Sequence, residues 1–461
     1  MDYAVLIDFG STFTKVAAVS LREHRLLFAS KFASTVKTDA RVGLSQCLDA
    51  AKEAIGDKAF EDAYKLASSS AAGGLRMTVI GLTQSLSITA GRNAAFGAGA
   101  KIMRTLHGKL TAEDADAILA AQTEIVLFCG GYENGNVSTV LHNAKILAES
   151  AVHVPIIYAG NSFIAQEVRK ILTLAGRECF IVNNVIPEVG VLDVAMAEAV
   201  IRDIFMKRIV GMKGLDKVKS SIDGVLMPTP AAVLAAGELL SKGTQNRKGL
   251  DDLMIVDIGG ATTDIHSFAD QTSYEGARIL GAREPYKKRT VEGDLGMRES
   301  SNTLAEEIST ARLAEQASLC EETVKKSLEL RVASNHFLAN TDEEKRLDAA
   351  LASGAASIAA RRHAGFLEPM HSISCKAVQR GKNLTKVGCV IGTGGPIVFS
   401  PDPASILKNV LADTARERDI LLPAKADFFI DADYVLYAAG LINEINPDAA
   451  FDILQSSLRR V

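Results

Sequence analysis

One pattern constrains this chain more than any other: an apolar strand, an Asp-x-Gly turn and a second strand, repeated about 250 residues apart. The first copy reads DYAVLIDFGSTFTK, and the second reads LMIVDIGGATTDIHSF. Short runs of β-forming residues on both sides of a glycine turn predict a β-hairpin in each copy. Two hairpins of one design, each opening half of the chain, predict an internal duplication.

The first hairpin loop has the composition of a phosphate-binding turn. Gly10 is expected to adopt a positive φ, so that the amides of Gly10, Ser11 and Thr12 point into the loop as a nest for phosphate oxygens. The hydroxyls of Ser11 and Thr12 add donors. Asp8, at the strand end, is a candidate ligand of Mg²⁺ through water molecules. Lys15 is either a phosphate ligand or a solvated side chain, and the motif taken alone also fits an ordinary hairpin.

The second hairpin loop repeats these features. Asp257 ends its first strand and is a second candidate for Mg²⁺, while Gly259 and Gly260 let the backbone approach a ligand closely. Thr262 and Thr263 are expected to offer their hydroxyls to that ligand. One such hairpin is weak evidence for a phosphate site, whereas two at the openings of two halves are strong evidence.

A glycine-rich turn follows a buried strand late in the chain. The strand KVGCVI leads into GTGGP, where Gly392, Thr393, Gly394 and Gly395 leave little side-chain bulk in the way of a flat base or a ribose. A plain loop has the same composition, so this turn is weak evidence by itself. Its position after the two hairpins is what indicates a nucleotide site.

These three motifs resemble those of the actin/Hsp70/hexokinase ATPase superfamily. DFGSTFTK and VDIGGATTD are similar to its two phosphate motifs, IGTGGP to its adenosine motif, and PTPAAVLAAG and YVLYAAGL to its two connecting helices. The resemblance implies an α/β fold with two actin-like (ribonuclease H-like) halves around an ATP cleft. It also implies ATP or ADP and Mg²⁺ as cofactors, with Asp8 and Asp257 as the catalytic and metal-binding residues.

A closer resemblance covers essentially the whole chain. The segments IDFGSTFTK, AGRNAAFGAGAKI, VDIGGATTDIHS and RHAGF are similar to the glutamate mutase accessory family, called MutL or GlmL, which is distinct from the DNA mismatch repair protein of that name. This resemblance implies an ATP-dependent reactivating chaperone whose partner is an adenosylcobalamin-dependent mutase. Its ATP hydrolysis would be slow and would be coupled to the release of damaged cofactor.

One departure from the Hsp70-like pattern bears on catalysis. Those proteins carry an acid before the proline of the first connecting segment, and here that position is Met227. Two other functions share the same cleft. A small-molecule kinase would use an aspartate as the base for an acceptor hydroxyl or carboxylate, and an assembly protein of the bacterial actin type would form filaments.

The succession of strands and helices predicts four regions. Their bounds are 1–60 and 211–248 for the first actin-like half, 61–210 for an inserted α/β subdomain, 249–298 and 371–461 for the second half, and 299–370 for a helical subdomain. Within the insert, strands that alternate with helices predict a small parallel sheet. A small-residue helix is expected there at residues 84–104.

Composition excludes several other classes of protein. A net charge of −4 and a pI near 6.1 argue against a nucleic-acid partner, which requires a basic surface. The six cysteines are scattered and form no C-x-x-C pair, so no zinc or iron–sulfur site is indicated. No apolar run is long enough to cross a bilayer, so we expect a cytoplasmic protein without a membrane partner. A homo-oligomer is compatible with these features.

Overall fold

A computed structural model describes residues 1–10, 13–36, 38–70, 75–210, 222–334, 337–370 and 377–461. Ser11 and Thr12, assigned above to the first phosphate loop, lie outside the described residues.

Strands and helices alternate along most of the chain. The described strands are β1 (Tyr3–Phe9), β2 (Phe13–Ser20), β3 (Arg25–Ala33), β4 (Ala63–Ser69), β5 (Arg76–Gly81), β6 (Lys101–His107), β7 (Ile125–Phe128), β8 (Ile156–Tyr158), β9 (Cys179–Ile181), β10 (Gly224–Pro228), β11 (Leu253–Ile258), β12 (Thr263–Phe268), β13 (Arg278–Ile279), β14 (Lys287–Glu292), β15 (Phe366–Pro369), β16 (Ala377–Arg380), β17 (Cys389–Thr393), β18 (Asp427–Asp431) and β19 (Leu458–Arg460). The described α-helices are α1 (Ala40–Ile55), α2 (Asp57–Glu61), α3 (Thr89–Gly97), α4 (Ala112–Ala120), α5 (Ser138–Glu149), α6 (Ala165–Leu174), α7 (Ala195–Val210), α8 (Thr229–Lys242), α9 (Ser301–Ile308), α10 (Thr310–Ala317), α11 (Glu321–Ala333), α12 (Asp342–His363), α13 (Gly395–Val398), α14 (Pro403–Leu407), α15 (Leu436–Ile442) and α16 (Pro447–Ser457).

Two of the four described sheets share five strands in the same order, read in opposite directions, and the second sheet has β19 as a sixth strand at its edge. The first runs β10-β4-β1-β2-β3, and the second runs β14-β12-β11-β17-β18-β19. In each, three antiparallel strands form a meander, and two further strands lie parallel to the first strand of that meander. Each Asp-x-Gly turn joins the first two strands of its sheet. The predicted fold class, α/β with two actin-like halves, is confirmed.

Strand β4 corrects one predicted boundary. We placed its residues in the inserted subdomain, whereas β4 lies between β1 and β10 near the centre of the first sheet. Its sequence, AYKLASS, lacks the apolar run of a buried strand. Ser68 and Ser69 are nevertheless fully buried. The hydroxyl of Ser68 is satisfied there because it donates to the buried carboxylate of Asp8 on β1.

The inserted subdomain contains a five-stranded parallel sheet in the order β6-β5-β7-β8-β9. The helix predicted at 84–104 is wrong at both ends. A π-helical turn, Gln84–Ile88, precedes α3, and β6 occupies the residues after it. Gly99 has a φ of 85°, and a Cβ there would lie 3.0 Å from Pro228. This left-handed, crowded position ends the helix and turns the chain into a strand.

Four helices, α9 to α12, form the region between the second meander and β15, as the helical spacing predicts. The end of the predicted helical range is instead strand β15. That strand pairs with β16 in a small sheet of order β13-β16-β15, which the sequence pattern did not indicate.

Helices α8 and α15, the two predicted connecting helices, cross between the halves. A single buried cluster joins both helices to side chains of both large sheets, including Leu6 and Ile255. The crossing is very close, because a Cβ at Gly440 would lie 2.1 Å from the carbonyl oxygen of Ala232.

Among the described helices, none has both the length and the apolar character that crossing a membrane requires.

The helix crossing generates a stability prediction. We expect Gly440→Ala to lower the free energy of unfolding by about 1–3 kcal/mol, since the added methyl group meets backbone that cannot move aside cheaply. Urea unfolding of both proteins measures the difference. Gly388→Ala is the matched control, because a Cβ there meets no atom within 4 Å. An equal effect of the two substitutions would contradict the close crossing.

Candidate functional site

Asp8 is a tightly constrained carboxylate at the interface between the halves. It ends β1 and is 1% exposed. Its Oδ1 accepts hydrogen bonds from Ser68 Oγ at 3.2 Å and from Thr229 Oγ1 at 2.5 Å, and its Oδ2 lies 3.2 Å from Lys15 Nζ. Donors on β2, β4 and the first residue of α8 therefore fix this carboxylate in one orientation.

The first hairpin turn is tight for a different reason from the one expected. The amide of Gly10 donates to the carbonyls of Asp8 and Phe13, both at 3.1 Å. The expectation of a positive φ at Gly10 is wrong, since its backbone is outside that region. Glycine is required there by space, because a Cβ would lie 2.5 Å from the Phe13 carbonyl oxygen.

Asp257 occupies the equivalent position on β11 but has a different environment. Its side chain is partly exposed, and no described residue forms a hydrogen bond or ion pair with its carboxylate. Burial, followed by the charge of Asp264 directly opposite on β12, raises the pKa of Asp257 to about 6, while Lys15 and Arg289 oppose that rise. An unpartnered carboxylate that is costly to ionise is typical of a functional site.

Backbone hydrogen bonds hold the second loop, and its two threonines differ in exposure. The amide of Gly259 donates to the Thr262 carbonyl at 2.9 Å, and the Gly260 carbonyl accepts from the Arg298 amide at 2.8 Å. Thr262 is partly exposed. Thr263 is fully buried, and its hydroxyl donates to the Leu295 carbonyl at 2.8 Å. The expectation that Thr263 offers its hydroxyl to a ligand is therefore not supported.

Lys15 connects the two hairpins. Its ammonium pairs with Asp8 and also lies 4.9 Å from the centre of the Tyr434 ring, just before α15. Its charge acts on Asp257 of the opposite half. Burial and then the charges of Asp257, Asp431 and Asp8 raise the pKa of the Tyr434 phenol. Lys15 is thus paired with Asp8 of one hairpin and close enough to Asp257 of the other to act on its charge.

The glycine turn after β17 packs against the second hairpin. Gly394 has a φ of 89°, and a Cβ there would lie 2.1 Å from the carbonyl oxygen of Ile258. A Cβ at Gly395 would lie 3.9 Å from the Tyr434 hydroxyl. Gly392 faces the core beside Ile397, and the Thr393 hydroxyl lies 3.4 Å from Asp431. Of the four residues predicted to surround an adenosine, Gly394 and Gly395 adjoin the interface most directly.

Sequence reasoning missed several residues of this interface. Asp431 accepts hydrogen bonds from the amides of Val435 and Leu436 at 3.0 and 3.2 Å, and thereby caps α15. An aspartate four residues before the apolar run of a helix is the signal that could have identified it. Lys31, directly opposite Lys15 on β3, lies 4.2 Å from the centre of the Phe399 ring in the second half. Burial and the charge of Lys15 lower the pKa of Lys31.

Met227, at the position of the usual acid, is buried in the shared core. The two acids near it in sequence do not replace that carboxylate. Asp223 accepts the backbone amide of Lys65 at 2.7 Å, and Glu238 pairs with Lys242 and Lys287. Both are thus engaged in contacts away from Asp8.

Comparison with protein families settles the membership of this chain. A model of the MutL protein family matches residues 4–458. This chain belongs to the MutL family. It is also 42% identical over 465 residues to the "Protein MutL" of Clostridium tetanomorphum, with 100% of both chains covered. The resemblance to the glutamate mutase accessory family is confirmed.

Solved structures similar to this MutL-family chain are distant. The xylulose kinase of Bifidobacterium adolescentis matches with a TM-score of 0.31 and 12% identity, covering 97% of this chain and 92% of the kinase. A reductive activator for a corrinoid, iron-sulfur protein matches with a TM-score of 0.22 and 12% identity, covering 99% of this chain and 62% of the activator. Neither likeness is strong enough to bear on the activity of this chain.

The environment of Asp257 generates a prediction about pH. Its pKa in the folded protein, about 6, lies above that of an unfolded aspartate, about 4. The folded state therefore holds the proton more tightly, and this stabilisation is lost as the pH rises through about 4 to 6. We expect Asp257→Asn to raise the free energy of unfolding by about 1–3 kcal/mol at about pH 8, and by less at about pH 5.

Chemical unfolding of both proteins in the presence of a metal chelator tests this prediction. Asp427→Asn is a suitable control, since Asp427 is exposed and pairs with Arg460 on the protein surface. A gain at Asp257 that is equal at both pH values would contradict the raised pKa.

Proposed function

We propose that this protein is an ATP-dependent reactivating factor for an adenosylcobalamin-dependent mutase, glutamate mutase or a relative of it. The observation that supports this proposal most is the convergence of Asp8, Lys15 and Asp257, from two duplicated hairpins, at the interface between the halves. Membership of the MutL family supports a mutase as the partner.

The residues present fit a polyphosphate and a hydrated cation. Lys15 supplies positive charge between the two hairpins, and the loop at Gly259 and Gly260 brings backbone close to the same volume. Asp257 offers a carboxylate that no described residue engages. Among the described residues, no group of three or more potential ligands could enclose a metal ion. This suits Mg²⁺, which retains waters and takes only one or two carboxylates.

The two aspartates have different parts in this proposal. When bound, MgATP would supply the phosphoryl group and the metal charge that neutralises it. Asp8, already held by Ser68, Thr229 and Lys15, is suited to fixing the position of the hydrated cation. Asp257, which has no such partners, is suited to contacting the hydrated cation and orienting a water molecule. With Met227 in place of the usual acid, we propose that hydrolysis is slow.

Nucleotide binding would act on the partner through the relative position of the halves. Helices α8 and α15 cross closely at Gly440 and form the link between them. A ligand that contacts a hairpin from each half favours the closed arrangement, since that arrangement alone satisfies both sets of contacts. In this proposal, opening after hydrolysis moves the inserted subdomain and releases damaged cofactor from the mutase.

The nucleotide assignment predicts the effect of losing Asp257. We expect Asp257→Ala to abolish measurable MgATP binding or to eliminate its turnover, because the free carboxylate facing the cation is removed. Isothermal titration and phosphate release measure the two quantities. Asp427→Ala, an exposed aspartate of the same sheet, should leave both unchanged. An Asp257→Ala protein with wild-type binding and turnover would refute the assignment.

The reactivation assignment has its own test. Glutamate mutase inactivated by turnover should recover activity when this protein, ATP and fresh cofactor are added together. Recovery should fail without ATP, and it should fail with Asp257→Ala. Phosphorylation of a small-molecule acceptor without any recovery would favour a kinase, and ATP-dependent sedimentation without recovery would favour an assembly protein.

A further inference from the structure

Arg289 on β14 joins the second hairpin to the inserted subdomain. Its Nε and Nη2 donate to Asp264 Oδ2 at 3.0 and 2.6 Å. Its Nη1 donates to the carbonyl of Phe96, in α3, at 3.3 Å. The guanidinium is 6% exposed, so its contacts are made away from water. One side chain therefore holds a residue of the candidate nucleotide site and a helix of the insert.

Only one of the two carboxylate oxygens of Asp264 accepts hydrogen bonds from Arg289. The residue is 7% exposed, and its Oδ1 is buried without a hydrogen-bond partner among the described residues. It lies directly opposite Asp257 across the hairpin. A buried carboxylate oxygen without a donor is costly unless a ligand or a rearrangement satisfies it. Asp264 therefore has one oxygen bound to Arg289 and one without a described donor, on the face of the hairpin that it shares with Asp257.

Helix α3 is suited to transmitting a movement of Arg289 to the inserted subdomain. It follows β5, the strand at which the order of the inserted sheet reverses, through the π-helical turn Gln84–Ile88. Two further contacts tie the same segment to the second half. Asn93 Nδ2 lies 3.4 Å from Glu284 Oε2, and the Ala282 amide donates to the Ser85 carbonyl at 3.1 Å. Arg289 is the residue of this interface that also bonds to the second hairpin, through Asp264.

Arg298, which follows β14, provides a matched comparison because it contacts the same hairpin. Its amide donates to the Gly260 carbonyl at 2.8 Å, and its guanidinium donates to Asp348 Oδ2 at 2.9 Å and to the Phe337 carbonyl at 3.0 Å. These contacts link the hairpin to the helical subdomain. The two arginines therefore connect one hairpin to two different subdomains.

We propose that Arg289 is a positioning residue that couples the second hairpin to the inserted subdomain, so that occupancy of the cleft weakens the hold on α3. This inference rests on the proposed nucleotide function and names its route to the insert. Asp264 shares one negative charge between its two oxygens. When Oδ1 turns towards a cation beside Asp257, Oδ2 moves with it and draws the guanidinium of Arg289 along, which lengthens the bond from Nη1 to the Phe96 carbonyl.

Amide hydrogen exchange of the full chain tests the coupling directly. Exchange in peptides from residues 89–100 is measured with and without Mg²⁺ and ATPγS, and nucleotide affinity is measured in parallel. In the wild-type protein, we expect saturation to speed exchange in α3 at least about fivefold, the lower end of common couplings. Arg289→Gln should show fast exchange already in the free protein and no further change with nucleotide.

Two further variants separate coupling from structural damage. Arg289→Lys keeps the charge, but one ammonium cannot reproduce the fork that holds Asp264 and Phe96 together, so the response should again be lost. Arg298→Gln should keep the response of α3, because its contacts lead to the helical subdomain. Loss of the response in Arg298→Gln and Arg289→Gln alike would mean general loosening of the hairpin and would overturn the proposal.

The results for the wild-type protein distinguish a failure of the coupling from a failure of the proposed nucleotide site. If nucleotide binds but exchange in α3 stays the same or slows, the coupling through Arg289 is wrong and the nucleotide site stands. If no nucleotide binds, the proposed function fails and the coupling fails with it. A nucleotide response that persists in Arg289→Gln would overturn the coupling alone.

Discussion

The contact between Lys15 and Asp8 is the interaction on which the candidate site depends. The carboxylates of Asp8, Asp257 and Asp431 all act on the phenol of Tyr434, which is partly buried, and like charges close together repel one another. Lys15 pairs with Asp8 and acts on Asp257. Without that ammonium, Asp8 would have no cationic partner among the described residues, and Asp257 would keep only the charge of Arg289 to oppose its neighbouring carboxylates.

In the same arrangement, the feature that suits Asp257 to a ligand lowers the stability of the folded protein. The carboxylate of Asp257 has no described partner, and ionising it in the folded protein is costly. Thr229, the first residue of α8, and Asp431, which ends β18 and accepts the amides at the start of α15, connect the carboxylate cluster to the two crossing helices. The electrostatics of the interface are thereby linked to the element about which the halves would move.

The sequence correctly predicted the elements that depend on neighbouring residues. Both Asp-x-Gly hairpins and the helical region from α9 to α12 follow from strand runs, glycine turns and helical spacing, whereas the two connecting helices were expected from the family resemblance. Strand β4 was misplaced because its buried Ser68 is explained only by Asp8, a contact between distant segments. The same holds for Arg289, whose partner Phe96 lies 193 residues away in the chain. Hydrogen bonds between distant segments leave no periodic signal in a single sequence.

The most direct measurement of the central claim is a crystal structure with ATPγS and Mn²⁺, in which anomalous scattering locates the metal. The account predicts one peak between the hairpins, with Asp8 and Asp257 each within about 5 Å, bound directly or through one water molecule. The nucleotide phosphates should contact loops of both halves. A metal and phosphates held by one half alone, or bound elsewhere in the chain, would contradict the account.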